Sequence, residues 1–299
     1  MVTLFASIAK ANDFAFESPS IPRVDLEKAN FLLGIGSDFQ DVGTSPTHFS
    51  KSFTRFRQVN KGKRNKFIQF ESHLSLTGAK ADERHIVPAQ SELLVSLILL
   101  EKVTAFLDSK INKNLRMKVQ EVTDTCANYI KTNKSKLAIS EKTFEKIALQ
   151  LINQPAVVLS GSSSSSDQNS VLLQLATILI NECIGAYKNI LHLDEGWFNS
   201  PVKFDDFNRF TEEAENLDVL FILDTNPIYL SPKSWNVDKI LNKIPTVISI
   251  QHFPNESDHF ANFVLPSHHP LESWGDEQPV DGFWSFTQPV VRPLTDSRQ

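Results

Sequence analysis

The chain has 299 residues, 41% hydrophobic and 22% charged, a globular composition with the length of two ordinary domains. A formal net charge of −5 and a pI near 5.9 argue against a nucleic-acid binder, which carries a basic face. No stretch approaches the ~18 uninterrupted apolar residues of a membrane span, because Glu101 and Lys102 break the longest candidate.

The opening MVTLFASIAKANDF has a short apolar patch but no basic leader and no cleavage pattern, so it is not expected to be a signal peptide. Pro19 and Pro22 favour an irregular, extended opening segment. A buried strand is expected over 30–35, ending in Gly-Ser-Asp. Ser45-Pro46 is a good helix start, and that helix is expected to run to about Gln58. The basic run 61–66 is expected as a solvated turn before a strand at Lys66–Phe70. Ser91 is expected to cap a long buried helix ending near Leu107. Residues 111–150 carry two more helical patterns and serve as a connection.

The run 155–161 (PAVVLSG) has the β-branched character of a parallel strand buried on both faces. A serine-rich loop follows, then a helix from about Val171 to Ile184, stopped by Gly185. Val219–Leu223 is the next strand, and from Glu272 a Trp- and Pro-rich segment is expected to wrap over a domain surface. Cys126 and Cys183 lie in separate helices. They supply no four-ligand metal site, and two buried thiols are a better reading than a disulfide.

One passage nearly occurs twice. FLLGIGSDFQDVGTSP (31–46), KFIQFE (66–71) and TGAKADERHIVP (77–88) match VLFILDTNPIYLSP (219–232), PTVISIQ (245–251) and ESDHFANFVLP (256–266) in order and type. Each copy reads as strand, loop, helix, strand, short helix and a Pro. The expected fold is therefore α/β: two Rossmann-like, doubly wound, mostly parallel units. The expected divisions are 1–29, 30–150 and 151–299.

The candidate sites lie at strand ends, where open α/β sheets bind ligands. Gly34–Phe39 is a partial dinucleotide fingerprint in which Phe39 takes the place of the third glycine, so an ordinary turn is the better reading. The serine loop at 160–170 could donate to a pyrophosphate but lacks the lysine of a P-loop. Asp224–Pro232 has the same placement. His252, His259, His268 and His269 are too irregularly spaced for a metal site. Glu71, Asp82 and Glu83 read as polar loop residues before they read as an acid/base pair. No serine or cysteine nucleophile stands in an activating motif.

Taken in order, GSDF, TGAKADERHIVP, AVVLSG, LDTNPIYLSP, FANFVLP and LESWGDEQPVDGFWSFTQPVVRPL give a chain that resembles the molybdopterin oxidoreductase superfamily over residues 25–299. Within it, SLTGAKADERHIVP and LESWGDEQPVDGFWSFTQP are similar to the large iron–sulfur subunit of alternative complex III. The resemblance implies two middle-domain units, each shaped to hold one nucleotide end of a molybdopterin guanine dinucleotide. Carried onto this chain, the contacts fall at Gly36, Ser37, Asp38, Glu71, Ser162, Thr225 and Asn226. It also implies iron–sulfur clusters elsewhere in a longer parent, partners among its other domains and subunits, and a membrane-associated, periplasmic-side location in quinol-oxidising respiration.

Departures from the catalytic pattern qualify that inference. No cysteine matches a metal-ligating loop position. Asp38 and Phe39 stand where the family has Asn-Pro, and PAQSE (88–92), with Gln90, replaces Pro-Gly-Thr-Asp. A carboxylate at 38 opposes an anionic ligand. The expectation is a cofactor-free scaffold cut from a longer subunit, with no catalytic residue and no metal. The rivals are a fragment of an active molybdenum enzyme and a stand-alone nucleotide-binding protein.

Overall fold

The structure, a computed structural model, describes residues 5–59, 62–107, 111–161, 169–197, 204–280, 282–294 and 296–297. The chain divides into two compact bodies, Leu4–Pro201 and Val202–Gln299, with residues 1–3 assigned to the second.

The N-terminal body opens with α1 (Ala6–Phe16) and β1 (Ile21–Val24), followed by β2 (Phe31–Ile35), α2 (Pro46–Phe56), β3 (Lys66–Glu71) and β4 (Glu83–Ile86). Then come α3 (Glu92–Phe106), α4 (Lys113–Asn133), α5 (Glu141–Asn153), β5 (Ala156–Ser160), α6 (Ser170–Cys183) and β6 (Leu191–Trp197). Four strands form a parallel sheet in the order β4-β3-β2-β5. β2 lies between two neighbours and every one of its residues is buried, which explains its unbroken apolar run.

Helix α2 spaces Phe49, Phe53 and Phe56 so that all three face one side of the sheet, against Leu32, Phe67 and Val157. The other side carries Phe31, Leu33, Ile35, Ile68 and Phe70, and α3, α5 and α6 cover it. Helix α3 is buried on every face from Glu92 to Leu100 because α4, α5 and α6 surround its remaining faces. Side-chain caps start α4 (Asn112 accepts from Leu115 N, 2.8 Å) and α5 (Ser140 accepts from Thr143 N, 3.3 Å). Ser45 and Ser91 instead meet their helices through backbone carbonyls, which accept from Phe49 N and Val95 N.

Two expectations are corrected here. The described part of 1–29 is not irregular throughout: α1 occupies 6–16, and its buried positions are Ala9, Ala11 and Asn12. Small residues and an amide leave little periodicity to read. The boundary at 150/151 also fails, because β5 pairs in register with β2 (Phe31 with Ala156 through Ile35 with Ser160). Without β5, fully buried β2 would be an exposed sheet edge. β6, whose LHLDEGW sequence gave no strand signal, pairs antiparallel with β1.

The C-terminal body contains α7 (Phe204–Glu213), β7 (Val219–Leu223), α8 (Pro227–Leu230), α9 (Val237–Leu241), β8 (Thr246–Gln251) and β9 (Phe263–Pro266). The segment from Glu272 forms a hairpin of β10 (Gly275–Val280) and β11 (Phe283–Thr287). Its parallel sheet runs β7-β8-β9. Ile222, Val247, Val237, Leu241 and Ile244 make a small core on one side of that sheet.

The register of β2-β3-β4 repeats in β7-β8-β9 residue for residue. Phe31 pairs with Lys66 and Val219 with Thr246; Glu71 pairs with Ile86 and Gln251 with Pro266. Cys126 is buried, Cys183 is half-buried, and both are free thiols.

Candidate functional site

The N-terminal body presents a strand-end crevice, and the repeat places a corresponding loop at the strand ends of the C-terminal body. In the N-terminal body β2 ends at Ile35 and the chain turns at Gly36 in the left-handed region (φ +62°). Gly36 N donates to Phe70 O (2.7 Å). A side chain at Gly36 is impossible, since its Cβ would lie 2.6 Å from the Gly161 carbonyl oxygen. The glycine therefore lets the loops after β2 and β5 meet, and that is its role in the fingerprint. Phe39 is 3% exposed and packs its ring 5.3 Å from Phe49 and 5.9 Å from Phe53 and Phe67. It belongs to the α2 core.

The polar residues of this loop are engaged with one another. Ser37 O accepts from Gln69 Nε2 (3.0 Å). The Asp38 carboxylate accepts from Thr77 N (3.1 Å) and Thr77 Oγ1 (2.5 Å), and Thr77 Oγ1 accepts from Gln40 N (3.1 Å). Glu71, buried at the end of β3, accepts from Arg84 Nε and Ser75 Oγ (2.5 Å). Burial pushes the Glu71 carboxyl upward, but these hydrogen bonds outweigh it and the net shift is downward. Asp82 accepts from Phe67 N (2.8 Å) and pairs with Arg57 (2.8 Å to Nη2) and Arg64 (2.6 Å). The Arg57 hydrogen bond, opposed by burial and reinforced by Phe67 N and Arg64, holds Asp82 down at about 2.

Gly36, Ser37, Asp38 and Glu71 thus come together, as the sequence places them, around a cavity of about 590 Å³. Ser162 lies outside the described residues, as does the rest of 162–168. Two walls were not anticipated from sequence: α1, which contributes Ser7 and Asn12, and α6, which contributes Ser170 and Gln174. Ser7 Oγ and Ser170 Oγ meet at 2.7 Å, and Asn12 Nδ2 donates to Ser20 O (2.7 Å).

In the C-terminal body Asp224 takes the place of Gly36 and keeps the left-handed turn (φ +42°), with its N donating to Ile250 O (2.9 Å). Thr225 O accepts from Gln251 Nε2 (2.8 Å). Asn226 Oδ1 accepts from Ser257 Oγ (2.8 Å) and Tyr229 N (3.2 Å), and its Nδ2 donates to Glu256 (2.5 Å). Thr225 and Asn226 are thus neighbours on a loop whose polar groups are tied inward. His252 stands 3.2 Å from Ser267 Oγ and 3.7 Å from Asp224, with the His269 ring 6.0 Å away. Among the described residues no three potential metal ligands converge.

This is a mixed α/β chain with two parallel sheets and a crevice at the carboxyl ends of the first. A profile of the molybdopterin oxidoreductase family matches residues 16–299, and the chain belongs to that family. The fold is that of the acetylene hydratase of Pelobacter acetylenicus, with a TM-score of 0.67 at 14% identity over 98% of this chain. This chain spans 48% of that protein's length. A formyltransferase/hydrolase complex from Methylorubrum extorquens, solved with methylofuran, matches with a TM-score of 0.50 at 13% identity, covering 98% of this chain and 78% of its own. A search of curated proteins returned no match.

The family's molybdopterin cofactor is anionic, and the described residues of the N-terminal crevice do not suit it. Asp38, Asp41, Glu71 and Glu92 line the cavity, and no lysine or arginine is among its described lining residues. Arg84 is committed to Glu71, and Arg57 and Arg64 to Asp82. At an effective dielectric constant of ~20, a second anion about 4 Å from one such carboxylate is opposed by ~4 kcal/mol.

Proposed function

We propose that this chain is a cofactor-free scaffold segment of a larger molybdopterin-oxidoreductase-like subunit. The observation that carries the reading is the carboxylate-lined crevice whose polar groups hold the loop to itself. The segment keeps the architecture of a cofactor-binding domain and uses it to pack against other parts of its subunit and complex. The alternative complex III resemblance extends the reading to a membrane-associated complex that oxidises quinol, with iron–sulfur clusters carried elsewhere in the subunit. No helix among the described residues is long and apolar enough to cross a membrane.

The direct test is titration of the purified chain with guanosine diphosphate, followed by thermal unfolding. The expected result is no shift up to millimolar ligand; a saturable rise in midpoint overturns the reading. The respiratory assignment is tested by purifying the native subunit from membranes. Co-purification with quinol-oxidising activity supports it, and a subunit recovered wholly apart from that activity contradicts it.

A further inference from the structure

The second sheet leaves one face open. On β7, Phe221 is 56% and Leu223 62% exposed, and on β9 Phe263 is 59% exposed. In a parallel sheet, residues paired across strands project to the same side. The register Phe221–Ile248–Phe263 and Leu223–Ile250–Leu265 therefore makes a continuous apolar surface, extended by Val219 and without a charged side chain in these rows. Parallel sheets are ordinarily covered on both faces.

The internal repeat shows what belongs there. Leu33, Ile35, Ile68 and Phe70 hold the positions of Phe221, Leu223, Ile248 and Ile250, and all four are fully buried. Helix α3, which follows β4 within a few residues, covers them together with α5. After β9 the chain instead forms the β10–β11 hairpin, so no α3 counterpart occurs among the described residues of the C-terminal body.

The geometry points to an α-helix of about four turns, apolar along the face it presents, seated on Val219, Phe221, Leu223, Phe263 and Leu265 as α3 sits on the first sheet. It is supplied by the remainder of the same subunit. The inference rests on the larger-subunit reading above. Cover by the same polypeptide is favoured because the first sheet is covered in that way, and because this chain spans 48% of acetylene hydratase.

The test places a photoreactive benzoylphenylalanine at position 221, and separately at 263, in the native subunit, and sequences the cross-linked peptides after irradiation. The expected product has the mass of one subunit. Both positions mark the same peptide outside residues 1–299, with apolar residues every three or four positions. Cross-links to a second copy, another polypeptide or lipid, or no cross-link at all, overturn the inference. The mass of the native product separates the two failures. A 33.7 kDa product removes the larger-subunit reading and this inference with it. A longer product without the internal cross-link removes only this inference.

Discussion

Three of the positions at which the two copies of the repeat differ exchange an acid for an amide. Asp38, Glu71 and Asp82 in the first stand where Asn226, Gln251 and Asn262 stand in the second, a carboxylate against an amide each time. The shared backbone tasks survive the exchange. Asp82 accepts from Phe67 N and Asn262 from Val247 N (2.7 Å), while the residue's own N–H donates back to the same partner. Asp38 and Asn226 both accept from the hydroxyl of the residue at 77 or 257. What differs is the company each keeps. The first copy adds Arg57, Arg64 and Arg84, whereas at the second Glu71-type position Gln251 donates its amide to a loop carbonyl. At these three positions charge is an addition to contacts that an amide also makes, and the added carboxylates are engaged by arginines or by Thr77, while the second copy carries carboxylates of its own at Glu256 and Asp258.

The comparison breaks most visibly at Phe39, whose counterpart is Pro227. Phe39→Ala should cost about 3–5 kcal/mol by opening a cavity against Phe49, Phe53 and Phe67, while Pro227→Ala should cost under ~1 kcal/mol. Urea unfolding followed by far-ultraviolet circular dichroism measures both. Tryptophan fluorescence reports chiefly the C-terminal body, which holds Trp235, Trp274 and Trp284.

Next in size is Glu71→Ala, which leaves Arg84 and Ser75 without their shared acceptor and should cost about 3 kcal/mol. Gln251→Ala, the same change in the second copy, should cost about 1 kcal/mol. Equal losses at the two positions would contradict the charged-versus-neutral distinction.

Asp82→Asn converts the first clamp into the second and should cost about 2 kcal/mol at neutral pH. The sign follows from the depressed carboxyl. Its contribution is complete above the ordinary value of 3.8 and is lost as pH falls from there to about 2. The wild-type and Asp82→Asn stability curves should therefore converge across that window. Asn262 does not titrate, so Asn262→Ala should cost a pH-independent ~1 kcal/mol. A pH-independent gap between wild type and Asp82→Asn would show that its arginine pairs add nothing.

Much of this was readable in the chain. Both copies announce themselves as apolar strands followed by Ser-Pro, a second strand and a Pro, and the structure pairs those strands in matching register. Even the Asp82–Asn262 equivalence was on view in AKADERHIVP and HFANFVLP. The destination of β5 was not readable, because a strand buried on both faces looks alike whichever sheet receives it. Helix α1 was hidden by its small buried residues, and β6 by the charges in LHLDEGW. At the site, sequence brought Gly36, Ser37, Asp38 and Glu71 to one crevice, but their neighbours lie far along the chain. That Thr77, Ser75 and Arg84 would occupy those carboxylates is a tertiary fact.

The most direct measurement is the molybdenum and pterin content of the native subunit, by elemental analysis and by fluorescence of the released, oxidised pterin. The carboxylate-lined crevice predicts neither above background. Stoichiometric molybdenum with pterin dinucleotide would contradict it and return the chain to the catalytic members of its family.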